Sequence, residues 1–133
     1  MFSHVTVGIT DFDRAMAFYR PLMARLGLGL RFEDAAAPWA AWQPVEGGRP
    51  FFMITGPENG APADPGNGTM AAFLAPDRQT VRECHALALS LGGADEGAPG
   101  LRPHYHASYY GAYFRDPDGN KLCVVCHAPE PAR

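Results

Sequence analysis

The chain has 133 residues, 47% of them apolar, and its 11 Lys and Arg against 14 Asp and Glu give a formal net charge of −3. That length suits one domain with a core needing no metal or disulfide staple, and the absence of any Lys/Arg run removes the electrostatic footprint of nucleic-acid or anionic-membrane binding. No apolar stretch approaches the roughly 20 residues that span a bilayer, no basic-flanked leader opens the chain, and three cysteines are too few for a secreted disulfide framework. The expectation is a cytoplasmic domain with reduced thiols, whose partners are small molecules or proteins.

From Ser3 to Ile9 the sequence sets Val5, Val7 and Ile9 against His4, Thr6 and Gly8, the alternation of a strand with one polar-lined face. Asp11 stands where a helix N-cap would, and Ala15, Phe18, Tyr19, Leu22 and Leu26 follow helical spacing until Leu26-Gly27 ends it. Pro21 falls inside that pattern and predicts a kink. Three short strands follow, around Leu30 to Glu33, Trp39 to Gln43 and Pro50 to Thr55, completing a βαβββ unit. Of the Trp39/Trp42 and Phe51/Phe52 pairs, alternation places at least one member of each inside.

The stretch from Gly56 to Gly68 holds turn-formers and almost nothing apolar, so it reads as an exposed connection. The order then restarts: a strand over Thr69 to Ala75, Asp77 as a cap, and Val81, Cys84, Ala88 and Leu91 at helical spacing before Gly92-Gly93. Two βαβββ modules result, the first about 1–57 and the second about 68–128, joined by a linker at 58–67. The last two strands, Tyr109 to Arg115 and Lys121 to Cys126, flank the strong turn sequence D-P-D-G-N.

His4 at the opening of a strand, D-F-D-R-A-M-A-F-Y at Asp11 to Tyr19, and Y-G-A-Y-F-R-D-P-D-G-N-K at Tyr110 to Lys121 together resemble the glyoxalase/bleomycin-resistance/extradiol-dioxygenase superfamily, with its vicinal oxygen chelate fold. The resemblance covers nearly the whole chain. It implies an α+β domain in which two βαβββ modules form a curled mixed sheet and a cup. It also implies a divalent metal (Zn, Ni, Mn or Fe) in the cup of active members, with ligand positions falling on His4, Met70 and Cys123 in this sequence. Strand alternation puts the three side chains on faces turned from the helices, and it sends Cys123 and Cys126 to opposite sides, against a zinc knuckle or redox pair.

One imidazole, one thioether and one thiol lack the carboxylate that a lyase of this type uses as ligand and proton carrier. Two readings stand at this point. One is a metal-dependent glyoxalase-type lyase; the other is a metal-free small-molecule binding or drug-sequestering protein with a degenerate site, the metal absent or weakly bound. The loop H-Y-H-A-S-Y-Y from His104 to Tyr110 is dense in rings with polar tips, the composition of a ligand-pocket wall. Candidate ligand-binding residues are therefore Thr6, His104, Tyr105, His106, Tyr109 and Tyr113, although alternation alone leaves open whether Tyr109 and Tyr113 or Tyr110 and Phe114 face the cup. His85 and His127 receive no role. A homodimer is expected, because modules of this family commonly complete a cup by pairing and the aromatic Trp39 to Phe52 strands can cover a second subunit.

Overall fold

The two helices begin where an aspartate side chain can close the first turn: in a computed structural model describing residues 1–131, Asp11 accepts from Arg14 N at 3.0 Å and Asp77 from Thr80 N at 2.7 Å. The order is β1 (His4–Gly8), α1 (Phe12–Arg25), β2 (Leu28–Asp34), β3 (Trp39–Pro44), β4 (Phe51–Thr55), β5 (Ala71–Leu74), α2 (Arg78–Ser90), β6 (Ala94–Leu101), β7 (Tyr110–Arg115) and β8 (Lys121–Cys126). Each module makes one four-stranded mixed sheet, ordered β1-β4-β3-β2 and β5-β8-β7-β6, with β1/β4 and β5/β8 parallel and the remaining pairs antiparallel. This is the duplicated α+β arrangement expected from the sequence. Among the described residues no helix is long and apolar enough to cross a membrane.

Alternation assigns the faces. Val5 and Val7 lie opposite Phe52 and Ile54 on one side of the first sheet, while His4 and Thr6 lie opposite Phe51 and Met53 on the other. In the second sheet Tyr110, Ala112, Phe114, Leu122, Val124 and Cys126 join the core with Ala71 and Phe73. Helix α1 serves both sheets, since Tyr19 packs on Trp42 and Phe52 of the first and Phe18 on Phe114 of the second. The two modules therefore share one core. Within the aromatic pairs Trp42 and Phe52 are buried, whereas Trp39 is 40% exposed.

Helix α1 continues through Pro21 as expected; the carbonyl that loses its partner belongs to Ala17 on the exposed side, where solvent can satisfy it. Two features depart from the sequence reading. Strand β5 is shorter than expected, so Met70 lies just before it and is 45% exposed. Strand β6 is required by the second βαβββ order but is not marked in the sequence, because A-D-E-G-A-P-G-L lacks alternation. It forms as an edge strand with two register shifts, the setting in which glycine and proline are tolerated.

The D-P-D-G-N turn joins the modules. Asp116 Oδ1 accepts from Asp118 N (2.9 Å) and Asn120 N (2.8 Å), while its Oδ2 accepts from Tyr19 Oη of α1 at 2.5 Å and from Asn120 Nδ2 at 2.8 Å. Asn120 Nδ2 also donates to the Gly8 carbonyl of β1 at 2.7 Å, and Asp118 Oδ1 accepts from Thr10 N at 3.0 Å and Arg14 Nη2 at 3.1 Å. Burial pushes the Asp116 carboxyl above its ordinary range, against the pull of the Tyr19 and Asn120 hydrogen bonds. Burial, followed by the Asp116 charge, raises the Tyr19 phenol well above its own. Tyr19 is thus a neutral donor to a buried acceptor. Tyr19→Phe should lower unfolding stability by about 1.5–3 kcal/mol, the range for a hydrogen bond to a charged group. Arg14→Ala, at a largely exposed end of the same joint, should change it by less than about 1 kcal/mol in urea denaturation.

Candidate functional site

The sheet faces that the helices leave uncovered carry nearly all the side chains singled out from the sequence. On the first module His4 and Thr6 line a cavity of about 800 Å³ with Met53, Thr55 and the start of the linker. On the second, Tyr105, Tyr109, Tyr113, Arg115 and Lys121 line one of about 740 Å³, whose other wall is Asp64 to Met70. A smaller cleft of about 340 Å³ between β1 and β5 brings Thr6 and Met70 together. The connection at 56–70 is therefore a wall rather than a tether. It is held in place by Ala63 N donating to Thr10 Oγ1 at 2.9 Å and by Pro65 lying 3.5 Å from where a Gly119 Cβ would stand.

The packing of β7 settles which of its faces lines the cup. Tyr113 and Tyr109 look into the 740 Å³ cavity, while Phe114 is buried and Tyr110 packs against the core under Arg78 and Arg82 of α2. Gly111 makes this possible: a Cβ there would stand 2.9 Å from Tyr109 Cε1, so the ring lies where a side chain would be. The Tyr109 and Tyr113 hydroxyls are 2.8 Å apart, and Tyr109 Oη is 3.7 Å from Cys123 Sγ below them. Burial is the main cause that raises both phenols, so both keep their hydrogens near neutral pH.

Loop 102–109 is closed by Arg102 N donating to the Tyr109 carbonyl at 2.8 Å and is built of two turns, Tyr105 N to Arg102 O and Tyr109 N to His106 O. The Tyr105 ring packs at a tilt between His104 (4.3 Å between centres) and Tyr109 (4.8 Å). His106 faces away from the cavity and meets His127, with Nε2 and Nδ1 2.8 Å apart. Ser108 N donates to His106 Nδ1 at 3.1 Å, so the hydrogen of that imidazole is on Nε2 and is donated to His127. His127, given no role from the sequence, anchors the loop to the end of β8. His85 is likewise structural, being buried and bonded to Asp95 at 2.9 Å, which ties α2 to β6.

The three positions that the resemblance marks for metal ligands fall in different places. His4 is exposed in the first cavity with Nδ1 2.9 Å from the Ser3 hydroxyl, Met70 is at the second cavity and the cleft, and Cys123 is fully buried beneath Tyr109. No cavity holds two of the three. Among the described residues no group of three His, Cys, Asp or Glu side chains converges.

A family model described as Glyoxalase/Bleomycin resistance protein/Dioxygenase superfamily matches residues 1–124. The chain belongs to that superfamily. A glyoxalase/bleomycin resistance protein from Albidiferax ferrireducens T118 is 36% identical over 96% of this chain and 99% of its own, with a TM-score of 0.82. A lactoylglutathione lyase from Agrobacterium tumefaciens (23% identity, 95% and 92% covered, TM-score 0.65) and a glyoxalase-related enzyme from Fulvimarina pelagi (20%, 95% and 87%, 0.70) share the fold. No curated protein matches the chain.

Two lining cations, Lys121 and Arg115, were missed as site residues in the sequence. Both were within reach of it, since Lys121 alternates with Cys123 and Arg115 with Tyr113 on the open face. The cysteines offer a direct check of the geometry. Cys84 is pushed up to about 11 by burial, and burial raises Cys123 also. The thiolate is the reactive form, so iodoacetamide at pH 8 should leave Cys84 and Cys123 unmodified in the folded protein and label both once it is denatured, as read by mass spectrometry.

Proposed function

We propose that this member of the superfamily binds an organic small molecule on the open face of its second module, as a metal-independent binding protein of the bleomycin-resistance type. The observation that carries this reading is the cavity of about 740 Å³ walled by Tyr105, Tyr109 and Tyr113, within the size range of small-ligand sites and lined by rings with polar tips. The donor set does not fit a Zn, Ni, Mn or Fe centre. An imidazole, a thioether and a buried thiol supply no carboxylate, and Cys123 lies under the tyrosines rather than among them. A glyoxalase-type lyase reaction is left with His4 alone.

We also infer that the protein works as a homodimer, in the cytoplasm, where three free buried cysteines stay reduced. Strands β1 and β5 each end a sheet. Around those edges Phe2, Val5, Met70 and Leu74 are exposed, and an apolar cavity of about 750 Å³ lies between them and Phe51, Phe52 and Phe73. Edge strands with an apolar border are a surface that a second copy can cover.

Elemental analysis of protein purified without added metal should find well below one equivalent of Zn, Ni, Mn or Fe; near-stoichiometric metal would favour the lyase reading. Sedimentation at micromolar concentration should give a species of twice 14.3 kDa. Tyr105→Ala and His106→Ala should keep the unfolding midpoint close to that of the parent chain, since both side chains are exposed loop groups. Tyr105→Ala should weaken an aromatic or keto-acid ligand found by thermal-shift screening by about three- to tenfold, as expected for the loss of a ring contact, and His106→Ala should weaken it less, by loosening from His127 the loop that carries Tyr105. Unaltered affinity in both variants would move the site off this face.

A further inference from the structure

The cavity on the second module is cationic as well as aromatic. Lys121 Nζ lies 5.6 Å from the centre of the Tyr113 ring, and the Arg102 guanidinium carbon lies 5.5 Å from it. Both side chains are half-buried, and neither has a carboxylate partner among the described residues. Arg115 differs, because its charge is taken up by Glu96 at 2.6 Å and the Gly119 carbonyl at 2.8 Å. The one carboxylate on the cavity wall, Asp64, accepts from Gly66 N at 3.0 Å within its own loop.

The backbone around Arg102 is shaped to seat it. A Cβ on Gly97 would stand 3.1 Å from Tyr113 Cδ2 and 3.2 Å from Arg102 Nη2, and one on Gly100 would stand 3.2 Å from Arg102 Nη1. Arg102 Nη2 donates to the Ala98 carbonyl at 2.8 Å, which spends only part of its donor capacity. Two glycines of β6 thus leave room for a guanidinium beside Tyr113. The phenols add one donor: with the Tyr109 and Tyr113 hydroxyls 2.8 Å apart, one hydrogen bridges the pair and the other is left for a carboxylate oxygen, its alternative at Tyr109 being only the weakly accepting Cys123 sulfur at 3.7 Å.

We propose that this cavity selects a flat organic anion, its carboxylate held by Lys121 and a tyrosine hydroxyl, its apolar body lying against Tyr105 and Tyr109, and its charge further favoured by Arg102 on the β6 side of Tyr113. The inference rests on the small-molecule reading above and narrows it to a charge class. A half-buried cation without a counterion gains most from a ligand that supplies one, and the exposed ring surface of Tyr105 and Tyr109 favours a conjugated skeleton over an inorganic ion.

The test pairs 2-naphthoate with its neutral isostere 2-naphthamide, each titrated by calorimetry into the full chain at low salt. The expected result is naphthoate binding about tenfold or more tightly than naphthamide, the scale of one charge-assisted contact, with the preference shrinking as salt is raised. Lys121→Gln and Arg102→Gln should each cut naphthoate affinity and bring the acid/amide ratio toward one, whereas Arg49→Gln, remote from the cavity, should leave the ratio unchanged. Gly97→Ala, which retains both cations but crowds Arg102, should also lower the ratio. Equal affinity for the two probes in the parent chain would overturn the anion preference while leaving the cavity a binding site. Failure of both probes to bind would overturn the anion site and remove its support from the small-molecule reading.

Discussion

A single buried carboxylate holds the two halves of this chain in register. Asp116 gathers the backbone of its own turn with one oxygen and, with the other, the phenol of Tyr19 and the amide of Asn120, which itself reaches the Gly8 carbonyl. The Tyr19 hydroxyl and the Asn120 backbone N–H have no other partner in the joint, so removing the acceptor leaves buried hydrogens unpaired. The apolar packing around the joint depends on the same register. Phe18 can lie on Phe114 only while α1 is held against the end of the β7–β8 hairpin.

Fixing the modules in this way decides what their other faces can do. The helices cover one side of each sheet, and β1, β4, β7 and β8 present the alternate residues on the other. On the second module that side is furnished by subtraction: Gly97, Gly100 and Gly111 give up side chains so that Arg102, Tyr113 and Tyr109 can lie down across the strands. The loop that carries Tyr105 is in turn fastened by the His106–His127 pair. The result is a wall of rings and cations over a buried thiol.

Much of this was legible in the sequence where a side-chain period was present. The duplicated βαβββ order, the two aspartate caps and the opposite facing of Cys123 and Cys126 all follow from alternation and capping, which are local. The inner wall of the cavity was half legible: Tyr109 and Tyr113 share a face by parity, but only the packing of Phe114 into the core says which face it is. What escaped was set by tertiary contact. Strand β6 is held by pairing along β7 rather than by its own composition, and the Gly56–Gly68 stretch, polar and turn-rich, reads as a solvent-exposed tether although Thr10 and Gly119 hold it against the sheets. The role of His127 depends on a partner 21 positions away.

The joint at the D-P-D-G-N turn also sets the order in which the molecule can be completed during its synthesis. Its bonds link Tyr19, Thr10 and Gly8 to residues 97, 108 and 112 positions later. At roughly 5–20 residues per second, the completed first module waits about 3–13 s for the turn of its mate to be made. During that interval Phe18, whose partners are Phe114 and the backbone near Gly93, has no sheet to rest on, and one flank of α1 stays wet. Nascent chains shorter than about 120 residues therefore expose an apolar helix flank, the state in which a chaperone has something to hold, and the last hairpin to emerge is the one that closes it.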